Sequence, residues 1–363
     1  MFSYLPRRRL VLAAGLSIWL LLMFTFFAPP STSGWYRTPA RLSELGPRNS
    51  TLGFGAIYAV TEDDSTWRIQ GLRKAAALSG LQLTVPVQRH RSDDEIISYL
   101  AGDKQEEHFD AIRLLLNYVS LLEKFISSGL DSVLFVEDDA DFSVGIKDQM
   151  ESFSQAILQQ FPLKSVVTDL NSIQPSMEFP YGDDAWDILW LGHYGIEFTA
   201  DTKIFAYKDK HAMSWDRLVS RFNNYYEQQR IASRRSQQLI RGVAPLSTYA
   251  WAITRQHAQR LLKDFKKTRP QVIDTKLHID CKGLAHRCMA PVPELFHHHR
   301  VTGQARIGEP GAIPAGKEDL AWWRASHKYT YNVEWSARCN AMESGDLVDG
   351  KWQCLPAEGD DHI

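Results

Sequence analysis

An excess of basic charge is missing from this chain, in which 41 Lys and Arg stand against 43 Asp and Glu for a formal charge of −2. That balance gives no sign of the dense positive surface that phosphate-backbone binding needs, and nucleic acid is not an expected partner. Cysteine is absent until Cys281. All four cysteines, Cys281, Cys288, Cys339 and Cys354, fall in the last quarter. They contain no CxxC pair, which leaves a zinc knuckle without its usual frame even with His278 and His286 nearby. An even count suits disulfides in an oxidising compartment, and sequence permits three connectivities. Local pairing, Cys281 with Cys288 and Cys339 with Cys354, is expected because short loops meet most often. No internal repeat is evident.

One stretch lacks charge altogether. Residues 10–28 are uncharged and follow Arg7, Arg8 and Arg9. As a helix rising about 1.5 Å per residue this run spans roughly 28 Å, enough to cross a bilayer. The arginines hold the N-terminus in the cytoplasm and send the rest into the lumen, which is type II topology. A cleaved signal peptide is the competing reading. The run exceeds the usual signal-peptide core, however, and Phe26-Phe27-Ala28-Pro29 is a poor small-residue cleavage site.

The expected organisation is a cytoplasmic tail over 1–9, a signal anchor over 10–28, a flexible stem over 29–52, a folded domain over 53–303 and a loop-rich extension over 304–363. The stem is rich in Pro, Ser and Gly. It ends in the sequon Asn49-Ser50-Thr51, which makes Asn49 a candidate glycosylation site. The anchor and sequon place the chain in the Golgi or endoplasmic reticulum membrane with its main domain lumenal.

Within 53–303, periodicity predicts alternating strands and helices. Residues 54–60 are apolar and β-prone, 66–79 have a helical pattern closed by Gly80, and 81–87 read as a second strand. The apolar helix 109–126 ends at Gly129 and leads into Val133-Leu134-Phe135-Val136, a continuous run suited to a strand buried on both faces. Further elements are predicted over 146–161, 186–191, 204–207, 215–230, 248–254, 256–265 and, near the C-terminus, an aromatic helix over 321–328. The pattern predicts an α/β fold with a mixed, mostly parallel sheet flanked by helices.

Glu137-Asp138-Asp139-Ala140-Asp141 follows the buried strand directly. In open α/β sheets, ligands bind beyond the carboxyl ends of the strands. Extended residues two apart share a face at about 7 Å, which brings Glu137 and Asp139 together, with Asp141 as a further member. At an effective dielectric of 20 each such pair costs about 2 kcal/mol. A divalent cation, Mn²⁺ or Mg²⁺, would remove that cost and could hold a diphosphate. The plainer alternative is a solvated acidic loop before the next helix.

The stretch SGLDSVLFVEDDADF, with WDILWLGH and TYAWAITRQHAQRLL further on, resembles the family 25 glycosyltransferases, most closely fungal members with an N-terminal anchor. Bacterial members of that family build lipopolysaccharide, and animal members galactosylate collagen. The resemblance covers roughly residues 54–300. It implies a GT-A-like, Rossmann-related fold, a nucleotide-sugar donor such as UDP-galactose, a glycan or glycoprotein acceptor, and inversion at the anomeric carbon. By this likeness Glu137 and Asp139 are metal ligands, while Asp138, Asp141 and Arg68 lie against the donor; Arg68 is the last basic residue of a turn that is richer in arginine in the family. Where the family commonly has Ser-His before the acidic strand, this chain has Asn117-Tyr118.

Asp274 is the candidate general base that an inverting transfer needs, with Asp280 as its rival and a plain capping role as the alternative. One of His297, His298 and His299 is expected to be a late metal ligand, with His299 chosen; a solvated histidine loop is the alternative. Asp187 is a donor-binding candidate, or else closes an edge hydrogen bond. Arg234, Arg235 and Arg241 are read either as a mobile diphosphate-binding loop or as a solvated helix face. Three functions fit these residues: a metal-dependent hexosyltransferase, a non-catalytic nucleotide-sugar or glycan-binding relative, and a metal-dependent phosphohydrolase. The last lacks the spaced His/Asp ligands of a two-metal site.

Overall fold

The computed structural model describes residues 46–86, 88–100, 109–161, 180–182, 185–213, 236–265, 272–299, 333, 335–341, 347–348 and 351–352. In chain order these form β1 (Ala56–Val60), α1 (Trp67–Leu78), β2 (Leu83–Thr84), α2 (Asp93–Tyr99), α3 (Phe109–Ser128), β3 (Ser132–Glu137), β4 (Ala140–Phe142) and α4 (Ile146–Gln160). There follow β5 (Ile188–Gly192), β6 (Gly195–Lys208), β7 (Ser236–Leu246), β8 (Ala250–Thr254), α5 (Arg255–Phe265), α6 (Ile273–Lys282), β9 (Cys288–Val292), β10 (Phe296–His298), α7 (Ala337–Ala341), β11 (Leu347–Val348) and β12 (Lys351–Trp352).

Local chemistry sets several boundaries. The Thr66 hydroxyl accepts the Ile69 N–H and starts α1, and α2 opens with a reciprocal capping box between Ser92 and Glu95. Past α3, Gly129 turns the chain toward β3 at φ +79°, a conformation that a Cβ would strain.

The fold is α/β, built on a ten-stranded mixed sheet in the order β2-β1-β3-β8-β5-β9-β7-β6, with β10 bridging β4 and β5. Successive β3 residues point to opposite sides, so Val133 and Phe135 join one core while Leu134 and Val136 join the other. The first core is covered by α2, α3, α5 and α6, and the second by α1, α4 and α7.

The expectation of a mostly parallel sheet is corrected: the sheet is mostly antiparallel. β1 runs parallel to β2 and β3, but β8 lies antiparallel between β3 and β5, and β7 is antiparallel to both β6 and β9. A strand buried on both faces gives the same unbroken apolar run in either orientation, so the sequence could not separate the two. The hairpin β6–β7 also replaces the helix-or-loop reading at Arg241. That residue lies in a strand, with its guanidinium 4.8 Å from the centre of the Phe161 ring. Arg234, Arg235 and the predicted helix over 215–230 lie outside the described residues, as do the predicted aromatic helix and Cys354.

The folded part begins earlier than the stem boundary at 52. Residues 46–54 form a run of turns, Leu52 is buried, and Asn49 Oδ1 accepts the N–H groups of Thr51 and Gly53 at 2.8 Å. The sequon thus sits on an ordered turn rather than in a flexible stem. The segment 10–28 lies outside the described residues; among those residues no helix is long and apolar enough to cross a membrane. Cys281 and Cys288 form the expected disulfide. Cys339 is disulfide-bonded as well.

Candidate functional site

The parallel pairing of β1 with β3 puts the ends of both strands side by side, with Val60 opposite Glu137. Thr61, the next residue after β1, donates its hydroxyl proton to Asp138 Oδ2 at 2.7 Å. From the other side β8 brings Thr248, whose hydroxyl donates to Glu137 Oε1 at 2.6 Å. Tyr118 on α3 adds a longer hydrogen bond to the same oxygen at 3.4 Å. Its neighbour Asn117 donates to Glu62 at 2.9 Å. The Asn117-Tyr118 pair thus reaches the acidic run and its neighbour Glu62.

After Asp139 the chain turns into β4, which pairs antiparallel with β10 so that Phe142 faces Phe296 and Asp141 faces His297 in register. This pairing corrects the solvated-loop alternative for the histidines: all three are buried, His297 and His298 within β10 and His299 directly after it. It also changes which histidine meets Asp139. His298 Nε2 lies 2.7 Å from Asp139 Oδ2, whereas the His299 ring lies by Asp141, Nδ1 to Oδ2 at 3.4 Å. His299 touches Asp139 only through its backbone N–H, which donates to the Asp139 carbonyl at 2.7 Å.

Burial and crowding leave their mark on the acids. Glu137 is pushed up to about 8, first by burial and then by the charge of Asp139, against the opposing hydrogen bond from Thr248. Asp138 rises to about 6 for the same two leading reasons. Asp139 goes the other way: burial works to raise it, but His298, Arg68 and Arg338 together hold it below the usual carboxylate range. Of the three it is the most readily ionised. It is 4% exposed, and while Oδ2 meets His298 and Arg68, at 2.7 and 3.4 Å, its Oδ1 is buried with no hydrogen-bond partner. An ionised, partnerless oxygen in a dry site is a ready cation ligand.

Arg338 is the functional residue that sequence reasoning missed. It lies in the stretch read as a loop-rich extension, yet it is fully buried beneath the acidic run. Its guanidinium donates to the carbonyls of Arg68, Asp138 and Ala140 at 2.8–2.9 Å, and its own N–H donates to Asp141 Oδ1 at 3.0 Å. Ser336 Oγ donates to the other oxygen of Asp141. Asp141 is thus an anchor for the C-terminal segment more than a donor-facing group. Burial works to raise it, but His299, Arg338 and Ser336 keep it below its ordinary value. No local pattern marks Arg338; the one hint is Gly71, where an added Cβ would overlap the guanidinium.

Asp141, His299 and Cys339, all buried, place ligand atoms within 4.8 Å of one another and form a group that could hold a metal ion.

No known protein-family model matches the chain, and no curated protein matches it significantly.

The remaining candidates lie apart from the acidic run. Because β5 and β3 are both antiparallel to β8, they run the same way, and Asp187 before β5 lies at the sheet end opposite Glu137. There it accepts from Arg287 Nε at 2.8 Å and pairs with His257 Nε2 at 2.7 Å. Asp187 is a buried clasp between α5, β5 and β9, which corrects its donor-binding role to the structural alternative. Asp187→Ala should cost about 1–3 kcal/mol, because it removes the acceptor shared by the buried His257 ring and the Arg287 guanidinium, while leaving manganese binding unchanged. Urea unfolding and calorimetry on one preparation would check both halves.

Asp274 lies in the first turn of α6, partly exposed, with its Oδ1 accepting the Thr275 N–H at 2.6 Å. The far end of α6 is joined through Cys281 to Cys288 at the start of β9, opposite Ile188, so the helix begins toward the end of the sheet that carries Glu137. No hydrogen bond or ion pair links Asp274 to the acidic run. Asp280 is taken up by Lys276 and, at 3.7 Å, by His286.

Proposed function

We propose that this chain is a metal-dependent glycosyltransferase that moves a hexose, galactose first, from a uridine diphosphate donor to a glycan or glycoprotein hydroxyl with inversion. The reading rests on one observation: Asp139, buried and ionised, keeps Oδ1 without a partner at the end of β3, beside Glu137, pushed up to about 8, and Asp138, pushed up to about 6. Glu137 and Asp139 would hold Mn²⁺ or Mg²⁺, with His298, rather than His299, as the adjoining histidine. When bound, the cation neutralises a donor's pyrophosphate and favours its departure.

The chain's own residues supply the rest. Arg68, partly exposed at the mouth, is placed to meet a phosphate oxygen. Thr61 and Thr248 fix the two outer carboxyls by hydrogen bonds, so little reorganisation is needed when they ionise. Asp274 remains the candidate base, facing solvent where an acceptor hydroxyl would arrive. The N-terminal segment 10–28 is the proposed Golgi or endoplasmic reticulum anchor.

A second reading, a non-catalytic nucleotide-sugar or glycan-binding relative, draws on a specific feature. His298, Arg68 and Arg338 already offset much of the charge of Asp139 without any ion. Hydrolysis of UDP-galactose by the fragment 43–363, with and without manganese, separates the two. That fragment is one compact unit. Donor binding without manganese-dependent turnover would favour the binding module.

Proton linkage gives a further check. Glu137 has an ordinary value of 4.5 and a folded value of about 8, so the metal-free protein binds more protons folded than unfolded between those limits. Stability therefore falls as pH rises across that window. Manganese should flatten the fall, bind more tightly at pH 8 than at pH 6, and release protons on binding. Calorimetry in buffers of different ionisation enthalpy counts those protons; binding that is the same at both pH values would contradict the assignment.

A further inference from the structure

Two groups of side chains flank β4, and only one belongs to the proposed donor site. Asp139 faces His298 and Arg68, whereas Asp141, His299 and Cys339 form the separate buried group. The third member is oxidised: Cys339 is disulfide-bonded, Cys281 and Cys288 account for two of the four cysteines, and Cys354 lies outside the described residues. A sulfur locked in a disulfide is no thiolate and does not ligate metal as one.

Once reduced, the same three residues offer a carboxylate, an imidazole and a thiolate. That donor set suits zinc with three protein ligands and one open position, and is too soft for Mg²⁺. The ligands are also held in place by bonds that do not involve the disulfide. The Phe142 and Arg338 N–H groups hold Asp141 Oδ1 at 2.8 and 3.0 Å, the His299 N–H holds the Asp139 carbonyl at 2.7 Å, and the Cys339 N–H holds Ser336 Oγ at 2.9 Å. Reduction would thus expose the sulfur inside a frame that is already built.

We infer that Asp141, His299 and Cys339 form a zinc site that exists only while Cys339 is reduced, so that a disulfide and a zinc ion are alternative partners of one sulfur. A dithiol or phosphine reductant gives two electrons to the S–S bond, which breaks, and two protons complete two thiols. Cys339 then loses its proton as the zinc–sulfur bond forms. The inference does not rest on transferase activity and is read with metal alone.

The test uses the full-length chain in detergent and Co²⁺ as a spectroscopic stand-in for zinc. After phosphine reduction, the protein should take up Co²⁺ with a thiolate-to-cobalt charge-transfer band in the near ultraviolet, and Zn²⁺ should abolish that band. Untreated protein should show no such band. Cys354→Ser, which removes the cysteine left over for Cys339, should show it without reductant. Cys339→Ser should lack it even when reduced, although that variant keeps Cys281 and Cys288. His299→Ala should weaken zinc uptake at least about tenfold. A full-strength band in reduced Cys339→Ser would overturn the proposal, as would its absence from both the reduced wild type and untreated Cys354→Ser.

Discussion

Asp139→Asn is expected to lower manganese-dependent turnover of UDP-galactose about 10³-fold, which corresponds to roughly 4 kcal/mol of charge stabilisation at the leaving diphosphate. The amide matches the carboxylate in shape and can still accept from His298, but it removes the most readily ionised acid of the three. Stability should move the other way. The charge of Asp139 is the second cause, after burial, that raises both Glu137 and Asp138, so its removal lets both ionise more easily. A variant that turns over poorly yet unfolds at equal or higher urea near pH 7 marks a residue kept for chemistry at some cost to folding. Wild-type turnover in Asp139→Asn would remove Asp139 from the metal set and leave the binding-module reading in possession.

Arg338→Ala should be the most damaging single change to stability, at about 3–5 kcal/mol. The side chain is fully buried and its guanidinium serves three carbonyls, so truncation leaves those acceptors dry and strips a cation from beneath Asp138, Asp139 and Asp141. Arg338→Lys should rescue little, since one ammonium cannot reproduce a planar fork that spans separate carbonyls. Gly71→Ala should reproduce part of the defect from the other side of the contact. Urea unfolding of the four proteins would rank them wild type, Gly71→Ala, Arg338→Lys, Arg338→Ala. A loss below 1 kcal/mol in Arg338→Ala would mean that the C-terminal segment is not needed to hold the acidic run.

Much of the fold was legible because its signals are local. Helix α1 begins at its Thr66 cap, Gly129 stands at the end of α3, and β3 reads as buried from four consecutive apolar residues. Strand direction was not legible. β8 follows a hairpin and a turn rather than a crossover helix, and nothing in Ala250–Thr254 records which way its neighbours run. At the site, the acidic run announced itself through charge density. Which carboxylate each histidine meets was not legible, because register decides it: the antiparallel pairing of β4 with β10 puts the His298 ring at Asp139 and the His299 ring in the group with Asp141 and Cys339. Arg338 was hidden for another reason. A lone arginine in a polar tail looks the same whether it is solvated or buried, and its partners lie 198 to 270 residues away.

That separation has a consequence for biosynthesis. The turn carrying Glu137, Asp138 and Asp139 leaves the ribosome long before the guanidinium that braces it, so a nascent chain can lay down its central strands but cannot finish the pocket until some 200 further residues have been made. A premature stop codon upstream of position 338 would therefore silence the protein as thoroughly as one near the start of the gene, despite sparing every acid of the pocket.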